Sequence, residues 1–388
     1  TVKSNYCQMK STPEIKMVDL HSQYLRIKSE VDAAMASVLN STAFIQGPQV
    51  AEFARALEIY TGAKHVVTCA NGTDALQIAM MALDLQPGDE VILPVHTYVA
   101  TAEVIALLRL KPVFVDVSED YFTLDIDQVK SRINARTRAI VPVHLYGQCA
   151  PMEPLLSLAK EHNLFVIEDA AQSLGAIYTF SSGIRKSSGT MGIVGCTSFF
   201  PSKNLGCFGD GGAMFVNDDA LAEKIRMISS HGQKIKYHHD IIGVNSRLDT
   251  LQAAILKVKL NYLTHYEQTR NNAANYYDRE LESLTWLKRP IRMPESTHVF
   301  HQYTITIKNG QRDALKNYLE KRGVPTMIYY PVPLHLQTAY RQPGMAEASF
   351  PITERLSKEV ISLPIHTEMT EDQLSYICTC LKDFPAHA

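Results

Sequence analysis

The stretch Ser198-Phe199-Phe200-Pro201-Ser202-Lys203-Asn204-Leu205-Gly206 places one lysine in a loop directly after an apolar run. Upstream, Val166-Ile167-Glu168-Asp169-Ala170-Ala171-Gln172-Ser173 ends a second apolar run with an aspartate where water is scarce. Runs of this kind recur at residues 65–69, 90–95, 113–117, 139–144, 164–167, 196–200 and 212–216. Several are continuous Val/Ile/Leu stretches, which suits strands buried on both faces. The segments between them read as helices. Leu76, Ala79, Met80 and Leu83 recur at helical spacing, and Pro151 opens a helical segment that runs to His162. This alternation predicts a layered α/β core with a mostly parallel sheet. The serine- and glycine-rich run at 181–189 marks a turn-rich connection.

The chain has 388 residues, 46% of them hydrophobic and 20% charged, enough for a large buried core. Net charge is −2 and the isoelectric point is near 6.7, whereas a nucleic-acid binder of this size is usually basic. No apolar run reaches membrane-spanning length, and there is no signal-peptide pattern. The seven cysteines (Cys7, Cys69, Cys149, Cys196, Cys207, Cys378 and Cys380) show no paired metal-ligand spacing, so no metal site is expected. Most lie in apolar segments and read as reduced core thiols, which points to the cytoplasm. The expected division is a polar tail at 1–14, a large domain at 15–260 and a small C-terminal α+β domain at 261–388. A long helical pattern from 248 to about 281 links the two domains. The small one alternates a strand at 303–307 with helices at 312–321 and 371–381.

A lysine nucleophile and a buried carboxylate are what pyridoxal phosphate (PLP) needs. The lysine forms a Schiff base, and the aspartate keeps the pyridine nitrogen protonated. The loop Ala70-Asn71-Gly72-Thr73-Asp74 precedes a helix, where backbone amides and a hydroxyl make an anion site. A simple helix cap would use the same residues. Together the three motifs resemble the DegT/DnrJ/StrS family of nucleotide-sugar aminotransferases, from about Ile15 to Phe384. The resemblance implies PLP fold type I, the aspartate aminotransferase-like fold, with a mostly parallel sheet of about seven strands.

The resemblance also implies roles. Lys203 and Asp169 become the catalytic pair. Gly72, Thr73 and Ser198 serve the cofactor phosphate, Tyr98 stacks on the ring, and Gln172 reaches the ring oxygen side. Gly243-Val244-Asn245-Ser246-Arg247 resembles a family signature in which the asparagine reaches the phosphate of the neighbouring subunit, so a homodimer with shared sites is expected. The resemblance puts Arg247 near the substrate, where its planar fork could bind a carboxylate or phosphate. A helix cap for Asn245, and an ion pair with Asp249 or another acid for Arg247, stay open as alternatives. Tyr329-Tyr330-Pro331-Val332-Pro333-Leu334-His335 resembles a segment lining the sugar pocket, although His335 reads equally as a packing histidine.

The implied reaction moves an amino group from L-glutamate to a nucleotide-linked keto-sugar, with a UDP-linked 3-keto uronic sugar the best match. The product would be an amino sugar for a surface polysaccharide such as lipopolysaccharide, or for a glycosylated metabolite. One rival is a PLP-dependent sugar dehydratase, whose branch replaces the lysine with histidine; Lys203 argues against it. The other rival is a PLP-binding regulatory protein without turnover, and no helix-turn-helix or basic arm accompanies this chain.

Overall fold

The computed structural model describes residues 13–386 except 342, 343 and 345. The expected tail falls largely on residues 1–12, with Cys7 among them, and so lies outside the described residues.

The chain begins with helices α1 (Leu20–Arg26), α2 (Lys28–Ser41) and α3 (Pro48–Thr61). Proline at the first position opens α3, and Gly62, at φ +75°, ends it in the left-handed conformation that glycine adopts without strain. Alternation then follows: β1 (His65–Cys69), α4 (Gly72–Ala82), β2 (Glu90–Pro94), α5 (Ala100–Leu107), β3 (Lys111–Val115), α6 (Ile126–Arg132), β4 (Thr137–Ile140), α7 (Met152–Glu161) and β5 (Phe165–Asp169). A hairpin of β6 (Ile177–Thr179) and β7 (Arg185–Ser187) precedes β8 (Val194–Ser198) and β9 (Gly212–Val216).

The seven long strands form one sheet in the order β1-β9-β8-β5-β4-β2-β3. Strands β8, β5, β4, β2 and β3 are parallel, while β9 runs antiparallel to both of its neighbours. Each apolar run expected from the sequence supplies one of these strands. The fourth is shorter than expected because Pro142 has no N–H to give the ladder. The backbone stays extended beyond it, and His144 N–H donates to the Asp169 carbonyl over 3.0 Å. Both faces of the sheet are covered. One core gathers Leu76, Ile78, Met80, Val104 and Ile105 from α4 and α5; the other gathers Leu155, Leu158 and Ala159 from α7.

After the sheet come α8 (Asp219–Ser229), a short ribbon of β10 (Gln233–Ile235) and β11 (His238–His239), α9 (Thr250–Leu260) and α10 (Leu263–Glu280). The single long helix expected across 248–281 is therefore two helices, divided at Asn261–Tyr262. The C-terminal layer holds β12 (Leu287–Lys288), β13 (Tyr303–Ile307), α11 (Arg312–Glu320), α12 (Pro351–Glu359), β14 (Val360–Leu363) and α13 (Glu371–Lys382). Thr370 and Gln373 form a reciprocal capping box that starts α13. This layer has its own core, built on Tyr277, Tyr303, Ile305, Leu319 and Ile377. Ile15 packs into that core too, so the first described residues join the C-terminal layer by contact rather than the large sheet.

Candidate active site

The parallel strands β8, β5 and β2 deliver their functional residues at one edge of the sheet, the carboxyl end, where open α/β sheets bind ligands. Asp169 is the last residue of β5 and is 7% exposed. Its register partner on β8 is Cys196, and the loop leaving β8 carries Lys203. The Asp169 carboxylate accepts from the Thr101 hydroxyl at 2.7 Å and from the Ala171 N–H at 3.2 Å. Burial pushes the Lys203 amine down to about 8, with the Asp169 charge pulling the other way. Near neutral pH this lysine is therefore far closer to its nucleophilic neutral form than a surface lysine is.

The adjoining residue of β5, Glu168, is fully buried and points elsewhere. It accepts from His144 Nε2 at 2.8 Å and from the backbone N–H groups of Gly189, Met191 and Gly192. His144 Nδ1 accepts from the Ala150 N–H at 3.0 Å, so the ring proton sits on Nε2 and faces Glu168. Glu168 thus fixes the end of β5 and leaves Asp169 as the carboxylate on the Lys203 side.

Asn71 caps α4 by accepting from the Asp74 N–H at 2.8 Å. The cap reading of this loop is correct for Asn71, and it leaves the amides of Gly72 and Thr73 at the open end of the helix. Gly72 is required there on steric grounds, since a Cβ would lie 2.7 Å from Ser198 Cβ. Gly212 likewise has Asn71 backbone 2.4 Å from where its Cβ would be. Two glycines therefore let the α4 N-terminus and Ser198 approach each other closely. The result is a hydroxyl- and amide-lined cradle of the type that holds a phosphate. A cationic amine, a buried carboxylate and an anion cradle at one sheet edge fit PLP.

Tyr98 follows β2 and stands 56% exposed, its ring 6.0 Å from that of Tyr330. Gln172 Oε1 accepts from the Tyr146 N–H at 2.7 Å, and its Nε2 donates to the Tyr330 hydroxyl at 3.3 Å. The backbone thus orients the Gln172 amide, with its NH2 end toward the site. Tyr329 and Tyr330 lie beside these groups; the Tyr146 hydroxyl donates to the Tyr329 carbonyl, and burial pushes the Tyr330 phenol up.

His335 is not with them. Its side chain has no exposed surface, its Nε2 meets Glu354 Oε1 at 3.1 Å, and its ring packs edge-on to Phe350 at 4.7 Å. The expectation that it lines the sugar pocket is corrected to its alternative, a packing histidine in the interior. Asn245 is exposed, and it does not cap a helix; its Oδ1 accepts from Arg247 Nε at 2.8 Å. Arg247 therefore pairs with Asn245 and not with Asp249. Ser246, between them, donates to Asp74 and accepts from the Ala70 N–H, tying this segment to the cradle loop.

Sequence reading missed Thr101, Tyr146, His96 and His301. Thr101 lies in the first turn of α5, and its hydroxyl is 3.4 Å from that of Thr97 in the loop leaving β2. His96 is 2% exposed, meets the Tyr146 hydroxyl at 3.2 Å, and is pushed down to about 4 by burial. His301 is 6% exposed, with Nδ1 unpartnered among the described residues. Burial holds it neutral, and the positive charges of Lys203 and Arg270 add to that.

Residues 25–382 match the model of the DegT/DnrJ/EryC1/StrS aminotransferase family. The chain is 45% identical over 369 residues to a UDP-2-acetamido-2-deoxy-3-oxo-D-glucuronate aminotransferase of Pseudomonas aeruginosa, covering 95% of this chain and 99% of the relative. It is 44% identical over 375 residues to a pleiotropic regulatory protein of Geobacillus stearothermophilus, covering 96% and 99%. Among solved structures, DesV of S. venezuelae in complex with a ketimine intermediate superposes with a TM-score of 0.93 at 39% identity, covering 97% of this chain and all of that one.

Proposed function

The chain belongs to the DegT/DnrJ/EryC1/StrS aminotransferase family and is a PLP-dependent sugar aminotransferase; on that premise we propose that it moves an amino group from L-glutamate to a UDP-linked 3-keto uronic sugar. The observation that carries the proposal is Arg247, whose guanidinium fork lies two residues from Asn245 in a segment bonded to the cradle loop. An arginine fork suits a carboxylate, which a uronic sugar has and a 6-deoxy sugar lacks. The 45% identity to a relative named for an oxo-glucuronate substrate supports the same choice.

Bound PLP supplies an electron sink for the pair left when a proton leaves the α-carbon. The protein's own residues do the rest. Lys203 is the residue that would hold the cofactor through its amine and, as the free amine, would serve as the base and acid that moves the proton. Asp169, fixed by Thr101, holds a proton on the ring nitrogen. Gly72, Thr73 and Ser198 would receive the phosphate, Tyr98 would stack on the ring, and Gln172 would serve the ring oxygen side. Tyr329 and Tyr330 border the sugar.

The assembly we propose is a homodimer in the cytoplasm. The support for a dimer is three exposed large side chains on and just after the β10–β11 ribbon, Ile235 66%, Tyr237 78% and Ile242 85% exposed, close in sequence to the exposed Asn245. Among the described residues no helix is long and apolar enough to cross a membrane. What supports an enzyme over a regulator without turnover is the similarity to a named aminotransferase and to DesV held with a ketimine intermediate. The test is to load the enzyme with glutamate, remove the excess, and offer UDP-linked 3-keto uronate beside neutral nucleotide keto-sugars. Amino-sugar formation from the uronate at the highest kcat/KM is the expected result; a preferred neutral sugar would overturn the substrate assignment.

A further inference from the structure

Lys259 lies in the last turn of α9 with 1% of its surface exposed. Among the described residues it makes no ion pair with a carboxylate. Its Nζ donates to the Gly206 carbonyl over 2.5 Å and sits 5.5 Å from the centre of the Phe208 ring. Burial pushes it down to about 8, and Arg270 adds to the effect while Cys207 opposes it. Burying a lysine without a counter-charge is costly, and the carboxyl-terminal end of a helix offsets only part of the cost. A hydrocarbon side chain would fill the same space more cheaply. The lysine is therefore explained by its bond to Gly206.

Gly206 closes the loop that carries Lys203. The Cys207 N–H donates to the Phe199 carbonyl over 2.8 Å, so the two ends of the loop meet. The Lys203 N–H donates to the Phe200 carbonyl, also over 2.8 Å, which sets the turn at which the side chain leaves. A Cβ on Gly206 would lie 2.2 Å from the Pro201 carbonyl oxygen, so the closing end passes directly over the opening end. On one side Asn204 Nδ2 holds the loop to the Val299 carbonyl at 3.1 Å. On the other side Lys259 holds it to α9, which packs on α2 and α3.

We infer that Lys259 is a positioning residue for Lys203: its hydrogen bond to Gly206 anchors the active-site loop to α9 and keeps the Lys203 amine aimed along the Asp169 side of the cleft. The inference rests on the proposal that Lys203 is the cofactor-bearing lysine. The experiment therefore begins with borohydride reduction of PLP-loaded wild type and peptide mapping. A pyridoxyl label on another lysine sinks that underlying reading; a label on Lys203 leaves the anchor to be tested alone.

Apo forms of wild type, Lys259→Met, Lys259→Gln and Lys259→Arg are then compared. The readouts are the rate of PLP capture, the visible circular dichroism of bound PLP, and amide exchange in peptides covering 199–211. Lys259→Met and Lys259→Gln should capture PLP roughly 10-fold more slowly, lose dichroism and exchange faster in that segment. Their kcat should fall while KM for glutamate stays within about twofold, because the donor's own contacts are untouched. Lys259→Arg, which keeps a charged donor of at least the same reach where the Gln amide falls one bond short, should recover part of the loss. Wild-type capture, dichroism and loop exchange in a folded Met or Gln variant would overturn the inference, as would a variant that loses only thermal stability. If none of the three folds, exchange in wild type decides. The Cys207 amide should be protected to the level of α9, and exchange at the rate of an exposed loop would end the proposal.

Discussion

The Thr101 hydroxyl donates to the Asp169 carboxylate over 2.7 Å, at a point where Asp169 is 7% exposed. A buried carboxylate aimed at a ring nitrogen needs its second oxygen occupied, or the group rotates toward any available donor. Thr101→Val keeps the shape of the side chain and removes that donor. We expect kcat to fall roughly 10-fold, about the worth of one hydrogen bond to a charged group. Thr101→Ser should restore most of the rate. Asp169→Asn, which removes the charge itself, should cost roughly 10²–10³-fold or more. Equal rates for Thr101→Val and wild type in a steady-state assay would show that Asp169 is held by other contacts.

Much of this arrangement was legible in the sequence because buried parallel strands are written as unbroken apolar runs. The runs at 65–69 and 212–216 coincide with β1 and β9. The placement of Lys203 and Asp169 at one edge of the sheet was legible because each comes just after such a run. Thr101 was not, since a threonine in a helix carries no sign of what lies across the cleft. The short strands β6 and β7 were hidden in a serine- and glycine-rich connection, where turn residues mask pairing. His335 was ambiguous because a histidine in a proline-rich segment suits a pocket wall as well as an interior. Only the position of Glu354 decides between them. The break at Asn261–Tyr262 was missed because the helical periodicity continues across it.

Lys203 should react with the cofactor in a pH-dependent way set by its lowered pKa. Only the neutral amine attacks a carbonyl, so PLP capture by the apoenzyme should rise with pH and level off above about 8, not above the usual 10.5. The Asp169 charge raises this value, so Asp169→Asn should move the midpoint downward. Stopped-flow capture at several pH values checks both signs. A midpoint unchanged or moved upward in the variant would contradict the electrostatic coupling.

His335 should matter for stability and not for substrate. His335→Ala removes the Glu354 bond and the packing on Phe350. Thermal or denaturant unfolding should show a loss of ~1–3 kcal/mol. KM for the nucleotide sugar should stay within about twofold of wild type. A large rise in KM without a change in Tm would return His335 to the pocket.

Asn245 should act on the phosphate bound in the partner subunit. Lys203→Ala and Asn245→Ala should each be nearly inactive alone. Mixed and allowed to exchange, they form hybrid dimers in which one site has an intact Lys203 and an intact Asn245. Random exchange should recover about a quarter of wild-type activity. Exchange confirmed by mass spectrometry with no recovery would place Asn245 in its own subunit's site.

Arg247 should read the sugar carboxylate. In the isolated chain its Nε bonds the Asn245 Oδ1 at 2.8 Å rather than Asp249, so no carboxylate of its own holds the fork. A uronate would pair with the guanidinium through two parallel hydrogen bonds, each contributing about 1.5–3 kcal/mol when charged. A neutral 6-deoxy sugar leaves the fork unpaired, so wild type should prefer the UDP-linked 3-keto uronate by at least about 10-fold in kcat/KM. Arg247→Ala should lose most of that preference by lowering the uronate rate while sparing the neutral sugar. Arg247→Lys should not restore it, since one ammonium cannot reproduce the planar pair. If Arg247→Ala instead lowers both substrates by the same factor, Arg247 contacts the diphosphate common to both. If wild type favours the neutral sugar, the uronate assignment is wrong while Lys203 and Asp169 keep their roles.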